Sequence, residues 1–232
     1  YKANADGTGI MKLTNFKSDV NSFDISPDGK QILFTSEVKI TKEVSDMHPD
    51  LPNVNVYIAE DLMYRHWNHW NDAYFSHIFV APLGGEVITE ATDIMEGEPW
   101  DAPLSAYFDN TEMTWSPDSK TIAYTCKKMV GKEYAVSTNS DIFLYNIETK
   151  ETKNITDKNK GYDKYPSYSN DGKYIAYESM ETDGYESDKN RLFIYNVVTG
   201  EREYLTKDFD QNVSSLTWSD DHKDLYFISG IH

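Results

Sequence analysis

A short stretch of sequence recurs four times along the chain, and this repeat constrains the fold more than any other feature. Each copy has an apolar run, a turn and a second apolar run; the copies lie at 22–36, 113–126, 166–179 and 215–229. The first turn, Ser-Pro-Asp-Gly, favours a tight reversal because proline presets φ and glycine accepts a positive φ. The fourth turn, Ser-Asp-Asp-His, is a degraded version. The repeat therefore predicts four β-hairpins.

A second recurring stretch follows the first three copies, at 77–89, 141–156 and 191–206. It also contains two apolar runs separated by a polar turn, which predicts another hairpin. Two hairpins make a four-stranded antiparallel unit, and such units repeated about every 50 residues are typical of propeller blades. The sequence therefore predicts an all-β fold, a β-propeller fragment with four-stranded blades of the TolB-like or WD type.

We expect a single propeller domain over 1–232 that holds three complete blades and two half blades. The predicted units are a half blade at 1–19, a blade at 20–89 with an inserted loop at 37–76, a blade at 111–156, a blade at 164–206 and a half blade at 213–231. Because the first and last units supply only two strands each, the rest of a closed ring is expected outside this sequence.

Composition narrows the possible partners. The formal net charge is -17, so most of the surface would repel a polyanion, and nucleic acid is not expected as a ligand. Cys126 is the single cysteine, which excludes a disulfide within the chain. No apolar run approaches the length of a membrane helix, so no membrane span is expected, and no cofactor is predicted.

The long connections are predicted to lie on one face of the propeller. They join the second and third strands of each blade, at 37–76, 127–140 and 180–190, or join successive blades, as at 90–110. In an antiparallel blade both kinds of connection leave from the same face, whereas the tight turns leave from the other. Long loops on a rigid scaffold often carry binding residues, so this face is the expected functional surface.

The stretch 60–72 is the richest of these loops in aromatic residues. Tyr64, Trp67 and Trp70 are spaced three residues apart, a spacing that predicts a helix or helical turns.

Two interpretations of this loop stay open. Trp67 and Trp70 could anchor it on the propeller while Arg65 pairs with a carboxylate, or Arg65, His66 and Trp67 could line a ligand site. His66 and His69 lie three residues apart, but no third ligand stands at a convincing spacing, so no metal site is predicted.

The segment 181–191 contains four acidic residues, a glycine and a tyrosine. Carboxylates grouped in this way could hold an ammonium group through charge-assisted hydrogen bonds, although they could also be solvated loop charges. No two glycines have the spacing of a Gly-x-Ser-x-Gly nucleophile elbow, and no alternation of strands and helices indicates an α/β catalytic domain. No catalytic residue is predicted within this chain.

Four loop motifs carry a resemblance to a known family: Tyr-Arg-His-Trp at 64–67, Asp-Ala-Pro at 101–103, Ser-Thr-Asn-Ser-Asp at 137–141 and Gly-Tyr-Glu-Ser-Asp at 184–188. Together they resemble the propeller of the dipeptidyl-peptidase V and acylaminoacyl-peptidase branch of the prolyl oligopeptidase family of serine peptidases. The resemblance implies an N-terminal propeller portion that gates and helps bind peptide substrates for a C-terminal α/β-hydrolase domain of the same parent chain. The Ser, Asp and His of the catalytic triad would follow His232.

The resemblance also implies roles for six residues and a location. Glu186 or Asp188, with Tyr185, would recognise the substrate amine, and Arg65, His66 and Trp67 would form a wall of the site. A bacterial periplasm or cell envelope is the implied compartment. The alternative is a non-enzymatic, TolB-like protein-binding module; a propeller glycosidase would need a carboxylate pair around the channel, which no spacing singles out.

Overall fold

Antiparallel sheets make up most of the molecule. The computed structural model describes residues 1–70 and 73–230. The strands, in chain order, are β1 (Val20–Ile25), β2 (Gln31–Lys39), β3 (Arg65–His66), β4 (His69–Trp70), β5 (Tyr74–Pro82), β6 (Thr92–Asp93), β7 (Met113–Trp115), β8 (Thr121–Cys126), β9 (Asp141–Asn146), β10 (Thr152–Asn154), β11 (Asp163–Tyr168), β12 (Tyr174–Ser179), β13 (Arg191–Asn196), β14 (Arg202–Tyr204), β15 (Ser214–Trp218) and β16 (Leu225–Ile228).

Helical structure is confined to short segments, which are α1 (Val44–Met47), α2 (Gly131–Val136) and a 3-10 turn at Asn110–Glu112. Within the described ranges, no helix has the length and apolar character needed to cross a bilayer.

The strands form three four-stranded sheets in the orders β1-β2-β5-β6, β7-β8-β9-β10 and β11-β12-β13-β14, together with the pairs β15-β16 and β3-β4. Neighbouring strands in each sheet are antiparallel and mostly consecutive in the chain. This up-and-down order is the one expected of propeller blades. The all-β propeller prediction agrees with this architecture.

A serine at the start of each first turn explains why the hairpin forms there. The Ser26 hydroxyl donates to Asp28 Oδ1 at 2.7 Å and accepts the Gln31 N–H at 2.9 Å. Gly29 follows with a φ of 71°, as the reversal requires. The same pair of side-chain bonds recurs around Ser219 in the fourth copy, so that turn keeps its geometry despite its altered sequence.

The fourth strand of the first sheet differs from the prediction. The expected blade ended at residue 89, but β6 lies beyond it and pairs with β5 through Phe79 and Val80. Ile88 instead forms a parallel bridge with Thr14, and its buried side chain packs in a cluster that includes Phe16. The half blade expected at 1–19 does not form two strands. This segment has an antiparallel bridge between Lys2 and Met11 and the parallel bridge from Thr14 to Ile88.

The prediction of a helix in the stretch 60–72 is wrong. Arg65 pairs with Trp70 and His66 with His69 in a two-stranded hairpin whose turn places Trp67 at a φ of 53°. A three-residue spacing of aromatics cannot distinguish one helical face from the two arms of such a hairpin. Asn71 and Asp72 lie outside the described residues. The neighbouring strands β2 and β5 also extend into the predicted loop 37–76, as far as Lys39 and from Tyr74.

The hydrophobic core lies between successive sheets rather than inside one globular centre. One cluster joins the first and second sheets through Leu33, Ile78, Trp115 and Tyr124. Further clusters lie between the second and third sheets and between the third sheet and the β15-β16 pair. Face-to-face packing of this kind makes each sheet depend on its neighbours and holds their loops in fixed relative positions.

Candidate functional site

Five connecting segments converge on one cavity, which we call the rim cavity. It encloses about 260 Å³, and its lining comes from 63–67, 104–112, 127–137, 162–165 and 180–186. These segments belong to all three complete sheets or to the connections between them. Loops that the sequence analysis assigned to the functional face therefore contribute to a single cavity.

Two larger cavities have less relation to the predicted site. One, of about 1000 Å³, is formed within the 41–73 region alone. The other, of about 720 Å³, lies along β7, β11 and β15, the first strands of successive sheets, and shares Lys164 and Tyr165 with the rim cavity. Neither contains any of the six residues singled out in the sequence, whereas the rim cavity contains three of them. The rim cavity is therefore the candidate site despite its smaller volume.

The structure divides the six predicted residues into two groups. His66, Trp67 and Glu186 line the rim cavity, but Arg65, Tyr185 and Asp188 do not. Arg65 is exposed in the β3–β4 hairpin and forms no ion pair with a described carboxylate. Tyr185 is 53% exposed.

The carboxylates of the 180–190 loop have different partners. Asp188 accepts the backbone N–H groups of Glu181, Thr182 and Lys189 at 2.7–3.0 Å, so it organises the loop. Glu181 lies 3.3 Å from Arg191.

Asp183 accepts the Ser137 hydroxyl at 2.6 Å and the Thr138 N–H at 2.8 Å. Glu186 makes no hydrogen bond or ion pair with any residue that the structure describes. It is the acidic side chain of this loop that stays available to a ligand in the cavity.

Aromatic side chains form the outer wall of the cavity. Trp67 is 69% exposed and meets the Tyr107 ring edge-on, with 5.4 Å between ring centroids. Trp70 instead stacks on Tyr57 at 4.9 Å and so holds the hairpin against its own loop. The two tryptophans thus differ in environment: Trp70 packs on its own loop, and Trp67 lies at the cavity.

A β-bulge supplies two neighbouring residues to the same cavity. The pairing of β11 with β12 shifts register between Lys164 and Ser167, and Tyr165 has a φ of 56°. Successive side chains of a regular strand point to opposite faces, but the bulge lets Lys164 and Tyr165 both line the cavity. This contribution was not predicted, because nothing in the sequence marks a bulge there.

Two buried ionisable residues in the cavity were also missed. Glu112 is 6% exposed and accepts the Leu104 N–H at 2.8 Å, and burial raises the pKa of its carboxyl from 4.5 to about 7. Burial lowers the pKa of Lys127 to about 8, although the charges of Asp183 and Glu186 oppose that change. Perturbed groups of this kind cluster at functional sites, but their burial is visible only in the folded chain.

Three further ionisable residues of the cavity are uncharged near pH 7. Burial, followed by the charge of Lys127, lowers the pKa of His66, so its imidazole is neutral near pH 7. Burial also raises the pKa of Tyr162, and that of Tyr165 to about 12, which keeps both phenols protonated. Among the described residues, no group of three or more His, Cys, Asp or Glu side chains is arranged to hold a metal ion.

Comparison with known proteins identifies the family. No family model matches the chain. A dipeptidyl-peptidase 5 from Porphyromonas gingivalis is 44% identical over 210 residues, which cover 90% of this chain and 31% of that protein. A second, from Porphyromonas endodontalis, is 43% identical over 189 residues and covers 82% of this chain and 27% of that protein. The chain belongs to the dipeptidyl-peptidase V branch of the prolyl oligopeptidase family. It spans about a third of the length of these relatives.

Solved structures agree with the fold of this dipeptidyl-peptidase V segment. An acylaminoacyl peptidase from Pyrococcus horikoshii superposes with a TM-score of 0.64 at 17% identity and covers 98% of this chain and 31% of that one. The β-propeller domain of the Trilobed protease from Pyrococcus furiosus gives a TM-score of 0.53 at 14% identity, with 99% and 55% covered. TolB from Acinetobacter baumannii gives 0.52 at 18% identity, with 97% and 41% covered. These likenesses show the propeller fold alone.

Proposed function

We propose that this chain is the propeller portion of a dipeptidyl peptidase that gates and helps bind peptide substrates for a C-terminal α/β-hydrolase domain of the same protein. The membership in the dipeptidyl-peptidase V branch and the share of the relatives that the chain spans support this proposal. The rim cavity would receive the amino-terminal end of the peptide. The catalytic serine, aspartate and histidine would be supplied by the other domain.

The single observation that carries the proposal is the unpaired carboxylate of Glu186 in the rim cavity. A free peptide N-terminus is an ammonium group, and a carboxylate without a protein partner can accept hydrogen bonds from two of its three N–H groups. Charge-assisted hydrogen bonds of this kind contribute about 1.5–3 kcal/mol each.

The other charged groups near the cavity are less suited to this role. Asp183 and Asp188 are occupied by hydrogen bonds within the protein. The Lys127 ammonium donates to the carbonyl oxygens of Tyr134 and Ser137 and would repel a second ammonium. Glu112 is half protonated near neutral pH because its pKa is about 7. Glu186 therefore offers the fixed negative charge.

The aromatic wall would recognise the side chains that follow the N-terminus. Trp67 and Tyr107 present large, rigid surfaces on one side, and Tyr162 and Tyr165 line the cavity on another. Aromatic walls with a few polar groups are typical of small-ligand sites. The volume of about 260 Å³ limits the occupant to a short segment, which fits a dipeptide better than a folded protein.

The experiment is a comparison of Glu186→Gln with the unmodified full-length protein, using a dipeptidyl p-nitroanilide with a free N-terminus. We expect KM to rise about 10- to 100-fold with kcat changed by less than about threefold, because one charge-assisted interaction in binding is weakened. Glu203→Gln, an exposed glutamate in β14, is the matched control and should leave both constants unchanged.

An unchanged KM in Glu186→Gln would contradict the amine-binding role. Absence of any dipeptidyl hydrolysis by the full-length protein would instead favour the alternative, a TolB-like module that binds a protein through the same face.

A further inference from the structure

The peptide unit between Ser137 and Thr138 lies between two opposite charges. Its carbonyl oxygen accepts a hydrogen bond from the Lys127 ammonium at 2.5 Å, and its N–H donates to the Asp183 carboxylate at 2.8 Å. A peptide group carries a dipole whose negative end is the oxygen and whose positive end is the N–H. The Lys127 ammonium therefore lies at the negative end of the dipole and the Asp183 carboxylate at the positive end, so both interactions are attractive.

The donors that Asp183 satisfies are buried, although the aspartate itself is exposed. Ser137 is 7% and Thr138 is 5% exposed. Asp183 accepts the hydroxyl of the first and the N–H of the second, and the Ser137 hydroxyl is the main reason why the pKa of Asp183 is lowered. Removing the carboxylate would leave two buried donors without their partner, which is costly in a folded chain.

These bonds join two loops from different sheets. The 127–140 loop connects β8 to β9, and the 180–190 loop connects β12 to β13. A further bond, from the Gly184 N–H to the Thr138 hydroxyl oxygen at 2.9 Å, reinforces the link at the next residue. The two loops are thus fastened to each other at consecutive positions, 183 and 184.

Glu186 lies between two fixed points of its loop. On one side, Asp183 and Gly184 are bound to the 127–140 loop. On the other, Asp188 holds the backbone N–H groups of Glu181 and Thr182 and so closes the loop on itself. A residue whose backbone is held between two such anchors presents its side chain from a fixed position, which favours binding.

We propose that Asp183 is a positioning residue, which fastens the 180–190 loop to the peptide unit 137–138 and thereby holds Glu186 at the rim cavity. This inference rests on the proposed role of Glu186. It adds a residue that does not line the cavity and assigns to it the task of placing the amine-binding carboxylate.

The test uses the full-length protein and the dipeptidyl p-nitroanilide with a free N-terminus. Asp183→Ala removes the acceptor and should raise KM at least about fivefold with kcat changed by less than about threefold, since a displacement near 1 Å is enough to lose such a contact. Asp183→Asn keeps an oxygen acceptor at the same place and should restore most of the loss. Asp220→Ala, at an exposed aspartate in the last hairpin turn, is the control and should leave KM unchanged.

Coupling to Glu186 separates positioning from general damage. In the double variant Asp183→Ala/Glu186→Gln, KM should exceed that of Glu186→Gln by less than about twofold, because contacts that act through one another are not additive. Thr138→Val removes the second link, the acceptor for the Gly184 N–H, and should raise KM about threefold. This isosteric variant provides the test if Asp183→Ala fails to fold.

Three results would overturn the inference. If Glu186→Gln raises KM while Asp183→Ala and Thr138→Val leave it unchanged, the loop needs no such anchor, and the proposed function stands without it. If Asp183→Ala raises KM as strongly in the Glu186→Gln background as alone, Asp183 acts by another route. An unchanged KM in Glu186→Gln itself removes the proposed function and this inference together.

Discussion

Glu112 provides a prediction in which the sign and size both follow from the structure. Its side chain is buried in the wall of the rim cavity, and Oε2 accepts the Leu104 N–H at 2.8 Å. Burial raises the pKa of this carboxyl from its ordinary 4.5 to about 7, although the Leu104 N–H opposes the change. Glu112→Gln keeps an oxygen for Leu104 and removes the ionisation.

The folded protein binds the Glu112 proton more tightly than the unfolded chain does. Between pH 4.5 and about 7 the folded state therefore loses stability as pH rises, and above about 7 the loss is complete. The difference between the two pKa values corresponds to at most about 3.5 kcal/mol, at about 1.4 kcal/mol for each pKa unit. The glutamine variant does not undergo this loss.

The assay is thermal unfolding of the full-length protein and of Glu112→Gln at several pH values. The two proteins should have nearly the same melting temperature at pH 4.5. At pH 8 the melting temperature of the variant should be higher by several degrees, because about 1 kcal/mol shifts Tm by about 2–4 °C in a domain of this size. Glu203→Gln, which is exposed, should show no such trend. A difference that stays constant between pH 4.5 and 8 would refute the assignment of a buried, destabilised carboxylate.

Two further variants test the packing and the turns. Phe34 is fully buried where the first sheet packs against Phe16, so Phe34→Ala should lower the free energy of unfolding by about 3–5 kcal/mol in a denaturant titration; a loss under about 1 kcal/mol would contradict the core assignment. Lys150 has a φ of 60° in a hairpin turn where the next blade has Gly200. Lys150→Gly should therefore raise the melting temperature by an amount that corresponds to as much as about 1 kcal/mol, and a lower melting temperature would count against strain at that turn.

The hairpins could be predicted from sequence because their chemistry is local. The serine and aspartate that close the first turn lie within five residues of each other, so the motif alone fixes the reversal. The same local bonds form around Ser219, even where the sequence departs from the motif. The position of β6 could not be predicted, since it depends on Ile88 pairing with Thr14, far away in the chain.

The candidate site was only partly predictable for a similar reason. The acidic loop pointed to Glu186, but which of its carboxylates is free depends on Ser137 and Thr138 in another loop. The burial of Glu112 and Lys127, and the bulge that brings Tyr165 to the cavity, arise from packing between sheets. A sequence pattern indicates which residues of a strand share a face, but it does not show which side chains neighbouring sheets will bury.

The amine-binding role of Glu186 can be measured directly as a preference for substrates with a free N-terminus. In the full-length protein, kcat/KM should be measured for one dipeptidyl p-nitroanilide and for its N-acetylated form, with and without Glu186→Gln. We expect a strong preference for the free amine that falls at least about tenfold in the variant, because only the charged form can use the Glu186 carboxylate. An equal preference in both proteins would contradict it.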